Sequence, residues 1–243
     1  MCPATKTLYL SDSYIKEFNA SVIKNKKDYV CLDQTAFYPL GGGQPSDVGF
    51  LIWDDNKSRI KEVIKKGDTI QHIIDGEKPP VSTNIRGIIN WDKRYQHMRM
   101  HTAQHIISGI VFDNYNARTV GNQIYSDYSR VDFYPISLKE KDLEDIENRC
   151  NQIIKQNLPV KIYEEERDHL EKRVDQERCN LDLLPKFITT LRIVEIEGFD
   201  TCPCAGTHVK NTSELSPIKI KKKETKGKDR ERIYYSLDST RIQ

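Results

Sequence analysis

A chain of 243 residues, 37% hydrophobic and 30% charged, has room for one large domain or two small ones with buried cores. No apolar run approaches the roughly 18 residues that span a bilayer, and Met1 to Phe18 holds no apolar signal core, so no transmembrane helix and a cytoplasmic location are expected. Lysine and arginine number 38 against 36 aspartates and glutamates; this net charge of +2 excludes a global polycation.

Residues 1–88 read as a small β-barrel-like domain. The runs Ser21–Ile23, Tyr29–Leu32, Phe50–Trp53 and Ile70–Ile74 are rich in strand-forming residues and are separated by charged or turn residues. Asp54–Lys57 and Lys66–Asp68 supply hairpin turns. Between these runs lies Phe37–Gly49 (FYPLGGGQPSDVG), where Gly41, Gly42 and Gly43 let another backbone or a ligand come close. The stretch is neither a Walker loop nor a dinucleotide GxGxxG; a tight surface turn is the plainer reading. Glu77–Pro80 (EKPP) breaks the pattern and is expected to loosen this domain from the second, residues 89–243.

A helix is predicted from Asp92, as N-cap, to about Phe112. Met98, Ile106, Ile107 and Ile110 would face a core, with His97, His101 and His105 on a neighbouring face. His101 and His105 lie four residues apart, so in a helix they project from one side and can grip one metal ion. Thr119 to Phe133 reads as a hairpin with Gly121 and Asn122 in its bend. Ser137 and Glu140 make a capping box ahead of Leu143, Ile146, Cys150, Ile153 and Ile154, whose spacing is helical, and Pro159 ends that helix. Val160–Tyr163 is a short strand, Glu164–Arg178 a charged surface helix, and Leu191–Ile196 another strand.

Next, Cys202–His208 (CPCAGTH) repeats the four-residue spacing with Cys204 and His208. Together His101, His105, Cys204 and His208 offer nitrogen and sulfur donors of the kind zinc prefers, with Cys202 as the alternative thiolate and His97 outside the set. Four protein ligands usually mark a closed structural zinc, whereas catalytic sites keep a position open, so residue types leave catalysis undecided. Ile218–Ile220 and Ile233–Leu237 frame a last hairpin around Lys219–Arg232, which holds eight basic and three acidic residues. This stretch is either a phosphate-contacting surface or solvated strand. The six cysteines form no disulfide-like framework, and Cys31, Cys150 and Cys179 read as core residues.

The segments 98–105 (MRMHTAQH) and 202–208 (CPCAGTH), in this order and about a hundred residues apart, resemble the editing domain shared by alanyl- and threonyl-tRNA synthetases. Tyr38–Gly49 is similar to the alanyl branch, and to free-standing AlaX proteins with an extra N-terminal domain. Arg130–Phe133 (RVDF) and Arg232–Tyr235 (RIYY) also fall where that family has them, and the resemblance covers nearly the whole chain. It implies an α+β protein in which the small β-barrel-like domain precedes an α/β editing domain with an antiparallel sheet and a zinc site. The implied activity is trans-editing: ATP-independent deacylation of tRNA(Ala) mischarged with serine or glycine, by a chain lacking a synthetase's activation core. One zinc per chain is implied at His101, His105, Cys204 and His208. The family correspondence also puts Thr119 beside the bound amino acid, and the glycine-rich loop with Gly42, Gly43 and Gln44 is expected to close over the catalytic pocket from the first domain. A Thr119 hydroxyl bonded to a substrate hydroxyl would discriminate against alanine, because without that hydroxyl the buried group goes unpaired. Ala205 departs from the family's usual glycine, while Gly206 still permits close approach. Three other readings stand beside this one: a noncatalytic zinc-stabilised RNA-binding module, a threonyl-branch deacylase acting on Ser-tRNA(Thr), and a zinc hydrolase of a free ester or amide.

Overall fold

The computed structural model describes residues 4–238. The chain divides into two compact units, Met1–His97 and Met98–Gln243. In the first, a two-residue strand β1 (Lys6–Thr7) and a one-turn helix α1 (Leu8–Ser11) precede β2 (Glu17–Asn25), β3 (Tyr29–Leu32) and β4 (Gln34–Thr35). Strands β5 (Gly49–Trp53), β6 (Asn56–Lys66), β7 (Thr69–Asp75) and β8 (Asn84–Ile89) follow. All except β1 and β4, which pair with each other, close an antiparallel barrel in the order β2-β3-β7-β6-β5-β8.

Period-two patterning explains the barrel. Phe18, Ala20 and Val22 of β2 and Leu51 and Trp53 of β5 point inward and are buried with Leu32, Phe37 and Ile70. Both predicted turns are two-residue hairpins: Trp53 pairs with Asn56 and Lys66 with Thr69. Asp54 and Gly67 take the positive φ that such turns demand. Strand β6 was not visible as a run because a register shift between Ile60 and Glu62 puts Ile60 and Val63, three residues apart, both in the core. Glu77–Pro80 does not separate domains. It sits inside the first unit, where Asn25 Nδ2 donates to Pro79 O at 2.9 Å, and β8 beyond it closes the barrel against β2 and β5. Gly49 allows that closure, since a Cβ there would lie 2.1 Å from the Ile88 carbonyl oxygen.

Helix α2 (Trp91–Tyr115) starts in the first unit and continues into the second. Its cap is Asn90 rather than Asp92: the Asn90 side-chain oxygen accepts from the Lys93 N–H at 3.1 Å, and Asp92 falls in the first turn. From Met98 to Val111 every residue except Arg99 is buried, so the helix has almost no solvent-facing side there.

Strands β9 (Arg118–Gln123) and β10 (Ser129–Tyr134) form the predicted hairpin, but Gly121 pairs with Asp132 in the ladder and the bend lies at 124–128. Helix α3 (Glu140–Lys155) buries Leu143, Ile146, Cys150 and Ile154. It begins after Lys139, whose N–H donates to the Asp142 carboxylate at 2.6 Å, and not at Ser137. Strand β11 (Val160–Glu166) consumes the start of the expected charged helix, leaving only α4 (Arg167–Arg173) helical. Antiparallel pairing of Glu164, Glu165 and Glu166 with Arg192, Leu191 and Thr190 holds them extended, and Arg167, buried, donates to the carbonyls of Leu181, Leu184 and Pro185 in the loop beyond. Strands β12 (Thr190–Ile196) and β13 (Asp200–Pro203) complete a sheet β11-β12-β13. Strands β14 (Ile218–Thr225) and β15 (Glu231–Leu237) extend the hairpin into a second antiparallel sheet, β14-β15-β10-β9. The molecule is α+β. No helix among the described residues is long and apolar enough to cross a membrane.

Candidate metal centre

His101 and His105 stand one turn apart on α2, and Cys204 and His208 lie just beyond β13. One nitrogen or sulfur donor from each comes within 4.8 Å of every other. The three histidines are buried and Cys204 nearly so. Cys204 Sγ is 3.3 Å from His208 Nε2 and 3.7 Å from His101 Nε2. A tetrahedral zinc with nitrogen at about 2.0–2.1 Å and sulfur at about 2.3 Å keeps its donors roughly 3.3–3.6 Å apart. The two Cys204 distances bracket that spacing, and the donor types suit that ion.

Neighbouring groups fix which ring atoms are available. The Thr102 hydroxyl donates to Met98 O at 3.0 Å, so at 3.1 Å from His208 Nδ1 it accepts, and the proton sits on Nδ1. That leaves the His208 Nε2 lone pair facing Cys204. Asp200 Oδ2 accepts from His105 Nδ1 at 3.0 Å, which orients His105 in the same way. Arg178 in turn donates to Asp200 at 2.7 Å and to the His105 carbonyl at 3.3 Å.

The electrostatics hold Cys204 and His208 in the forms a metal binds, while His105 would have to give up a proton to ligate. Burial alone would raise the Cys204 thiol, but the charges of His101 and His208 and hydrogen bonds from His101 and His105 hold it well below its usual range. Burial, then the charge of His101, pushes His208 down to about 3, so it is a neutral ligand. Burial disfavours charge on His105 too, but Asp200 and Cys204 outweigh it and raise this histidine to about 9. Asp200 is buried, yet Arg178 and His105 keep its carboxyl below the ordinary value.

Cys202, the alternative thiolate, belongs elsewhere. Its Sγ is 3.2 Å from Cys179 Sγ, and the Cys179 contact and burial push it well above the ordinary thiol range. Thr119 joins a polar chain along α2: Asn122 Nδ2 donates to Gln104 Oε1 at 3.2 Å, and Gln104 Nε2 to Ser108 Oγ at 2.7 Å. Thr119 Oγ1 then donates to the same Ser108 oxygen at 2.8 Å. Gln104 and Ser108 each lie three residues after a histidine of the set, hence on an adjoining part of the helix.

Gly42, Gly43 and Gln44 belong to the first unit. Gly41 and Gln44 exchange both backbone hydrogen bonds, at 2.8 and 3.2 Å, around two residues of positive φ, +56° at Gly42 and +79° at Gly43. This is the signature of a primed turn, which only glycine adopts without cost at both positions. Asp47 accepts from the Tyr38 N–H at 2.6 Å and is itself clamped by Arg94 of α2, anchoring the loop.

Sequence reading missed Thr102, Gln104, Ser108, Arg178 and Asp200. Asp200 was accessible in principle as a carboxylate close to the cysteine motif, but only the β12–β13 pairing brings it to a histidine 95 positions earlier.

Residues 4–93 match the family model for class II (A) tRNA synthetases, and residues 191–234 that for the threonyl and alanyl tRNA synthetase second additional domain. The chain is 40% identical over 242 residues to the alanyl-tRNA editing protein AlaX-M of Methanosarcina mazei, covering 96% of each. It is 39% identical to AlaX-M of Saccharolobus solfataricus, over 96% of this chain and 99% of that one. Against the alanine–tRNA ligase of Thermococcus kodakarensis it is 35% identical, spanning 99% of this chain but 26% of the ligase.

Proposed function

The chain belongs to the AlaX-M family of alanyl-tRNA editing proteins, and we propose that it deacylates seryl-tRNA(Ala), and glycyl-tRNA(Ala), at a zinc site formed by His101, His105, Cys204 and His208. It acts in trans on mischarged tRNA(Ala): it matches the free-standing editing proteins over nearly their whole length and a ligase over only a quarter. The observation that carries the chemistry is the convergence of four nitrogen and sulfur donors, two of which, His105 and His208, have their Nδ1 atoms engaged by Asp200 and Thr102.

Zinc held there would supply positive charge for an ester carbonyl, a water or the amino acid itself. The residues around it do the rest. Asp200 and Thr102 hold the Nδ1 protons of His105 and His208 and so keep both rings aimed at one point. Ser108 Oγ accepts from Gln104 and from Thr119, so the Thr119 proton is engaged and its oxygen is left to accept. A serine hydroxyl donating to that oxygen is distinguished from alanine, which has none to offer; glycine, equally without a hydroxyl, gains nothing from this contact. Gly42, Gly43 and Gln44 belong to a primed turn of the first unit, which Arg94 through Asp47 keeps in shape.

Deacylation of Ser-tRNA(Ala), Ala-tRNA(Ala), Ser-tRNA(Thr) and a free seryl ester, with and without competing uncharged tRNA, tests this reading. Selective loss of the first, inhibited by competitor, is expected. Preference for Ser-tRNA(Thr) would move the protein to the threonyl branch, tRNA-independent ester cleavage would make it a simple zinc hydrolase, and tRNA binding without amino-acid release would leave a zinc-stabilised RNA-binding module.

A further inference from the structure

Cross-strand partners lie on one face of a sheet. The registers Lys222–Tyr234–Arg130–Gln123 and Glu224–Arg232–Asp132–Gly121 therefore set two rows on the same side of the β14-β15-β10-β9 sheet. The opposite side carries Val131, Ile233 and Tyr235, and packs on α2 through the Tyr235 hydroxyl, which donates to Met100 O at 2.9 Å. Across the first side runs a line of aromatic rings. Tyr125 and Tyr128, 42% and 49% exposed, have centroids 5.4 Å apart, and Tyr128 lies 6.3 Å from Tyr234. Lys222 Nζ sits 4.8 Å over the Tyr234 ring at the end of the line. A single exposed tyrosine needs no explanation, but three in contact form a platform.

Charge on the same face is unbalanced. Arg130, Arg230 and Arg232 approach the one Asp132 carboxylate at 3.4, 3.2 and 2.6 Å. Arg130, Arg230, Arg232 and Lys222 face two carboxylates, Asp132 and Glu224, and so leave two positive charges uncompensated. The Arg230 Nε–H is enclosed and has no hydrogen-bond partner among the described residues.

We infer that this sheet face binds an unpaired stretch of RNA, with bases stacked on Tyr125, Tyr128 and Tyr234 and phosphates held by Arg130, Arg230 and Lys222. Flat rings in line beside cationic groups match the alternation of base and phosphate in a single strand. A duplex would offer phosphates but bury the base faces, and an acidic peptide would have no use for the row of rings. The inference rests on the reading of the substrate as tRNA and assigns where RNA beyond the reacting ester is held.

Fluorescence anisotropy with a labelled single-stranded ribonucleotide decamer of mixed sequence, and with the same decamer as a duplex, tests it. Tyr128→Ala and Tyr234→Ala should each weaken the single strand about tenfold, within the range of one lost base–aromatic stack. Tyr128→Trp should restore binding, and the duplex should bind more weakly and ignore all three changes. With Ser-tRNA(Ala) as substrate, the loss in Tyr128→Ala should appear in KM. A folded Tyr128→Ala protein that binds the decamer as tightly as wild type would overturn the inference, as would duplex binding equal to single-strand binding. Tyr128-dependent decamer binding by a protein that deacylates no aminoacyl-tRNA would instead sink the proposed activity and leave the RNA face standing.

Discussion

Two buried polar clusters, one in each unit, look alike in composition and differ in what they leave open. Arg94 and Asp47 are enclosed in the first unit, and every guanidinium nitrogen is spent: Nε on the Asp47 carboxylate at 2.9 and 3.0 Å, one terminal nitrogen on Ser13 O at 2.9 Å, and the other on Ala36 O at 2.6 Å and on Asp47. His105 and Asp200 in the second unit are a comparable pair, but the pairing engages only Nδ1. The remaining donor of His105 faces those of His101, Cys204 and His208. The first cluster is complete as it stands and holds a loop. The second gathers four potential ligand atoms at one point, and a cation bound there would displace the proton that His105 holds toward Cys204.

The largest expected effect breaks the closed cluster. Arg94→Ala leaves Asp47 buried without its counter-charge and should cost about 3–5 kcal/mol in urea unfolding. A loss below about 1 kcal/mol would mean that the pair is not the anchor of the glycine-rich turn. Removing the corresponding carboxylate from the open cluster should act on metal more than on stability. Asp200→Asn keeps the shape but weakens the orientation of His105, lowering zinc affinity about 10–100-fold in a chelator competition. Unchanged affinity would reduce Asp200 to a partner of Arg178.

Thr119→Val is a smaller change. It removes one neutral hydrogen bond worth about 0.5–1.5 kcal/mol, so Ser-tRNA(Ala) hydrolysis should fall by several-fold to about tenfold with zinc retained. Full activity would remove Thr119 from the site. The smallest effect concerns acid. Burial would raise the Asp132 carboxyl, but Arg232, Arg130 and Arg230 lower it below the usual value. Its stabilising contribution is therefore present above the unfolded aspartate pKa of about 3.9 and is lost as pH falls through the lower folded value. Asp132→Asn should flatten the acid limb of the stability curve, and an unaltered limb would assign acid sensitivity to other carboxylates.

The two clusters were unequally legible in the sequence. His101 with His105 and Cys204 with His208 could be read because four-residue spacing has a fixed geometric meaning in a helix and a short one in a tight turn. Arg94 with Asp47 could not, because a contact across 47 positions leaves no local period. The same limit hid Asp200. Strand β6 was lost to a bulge, and Asp92 was taken as the cap because Asn90, two residues earlier, is an equally good one. The basic run Lys219–Arg232 was read as either a phosphate-contacting surface or solvated strand; in the fold Lys219, Lys223 and Lys226 pair with Glu147, Glu231 and Glu224, while Arg230 and Arg232 share the one Asp132 carboxylate with Arg130. Composition counts charges; only the fold says which are already matched.

The central claim is that the open cluster is a zinc site on which editing depends. Zinc content and Ser-tRNA(Ala) hydrolysis, measured on the same preparations of wild type, Cys204→Ala and Cys202→Ala purified without added metal, test it together. The account predicts one zinc per chain and full activity in wild type and Cys202→Ala, with both lost in Cys204→Ala. Metal-free wild type that still hydrolyses the substrate, or loss of zinc from Cys202→Ala with retention in Cys204→Ala, would contradict it.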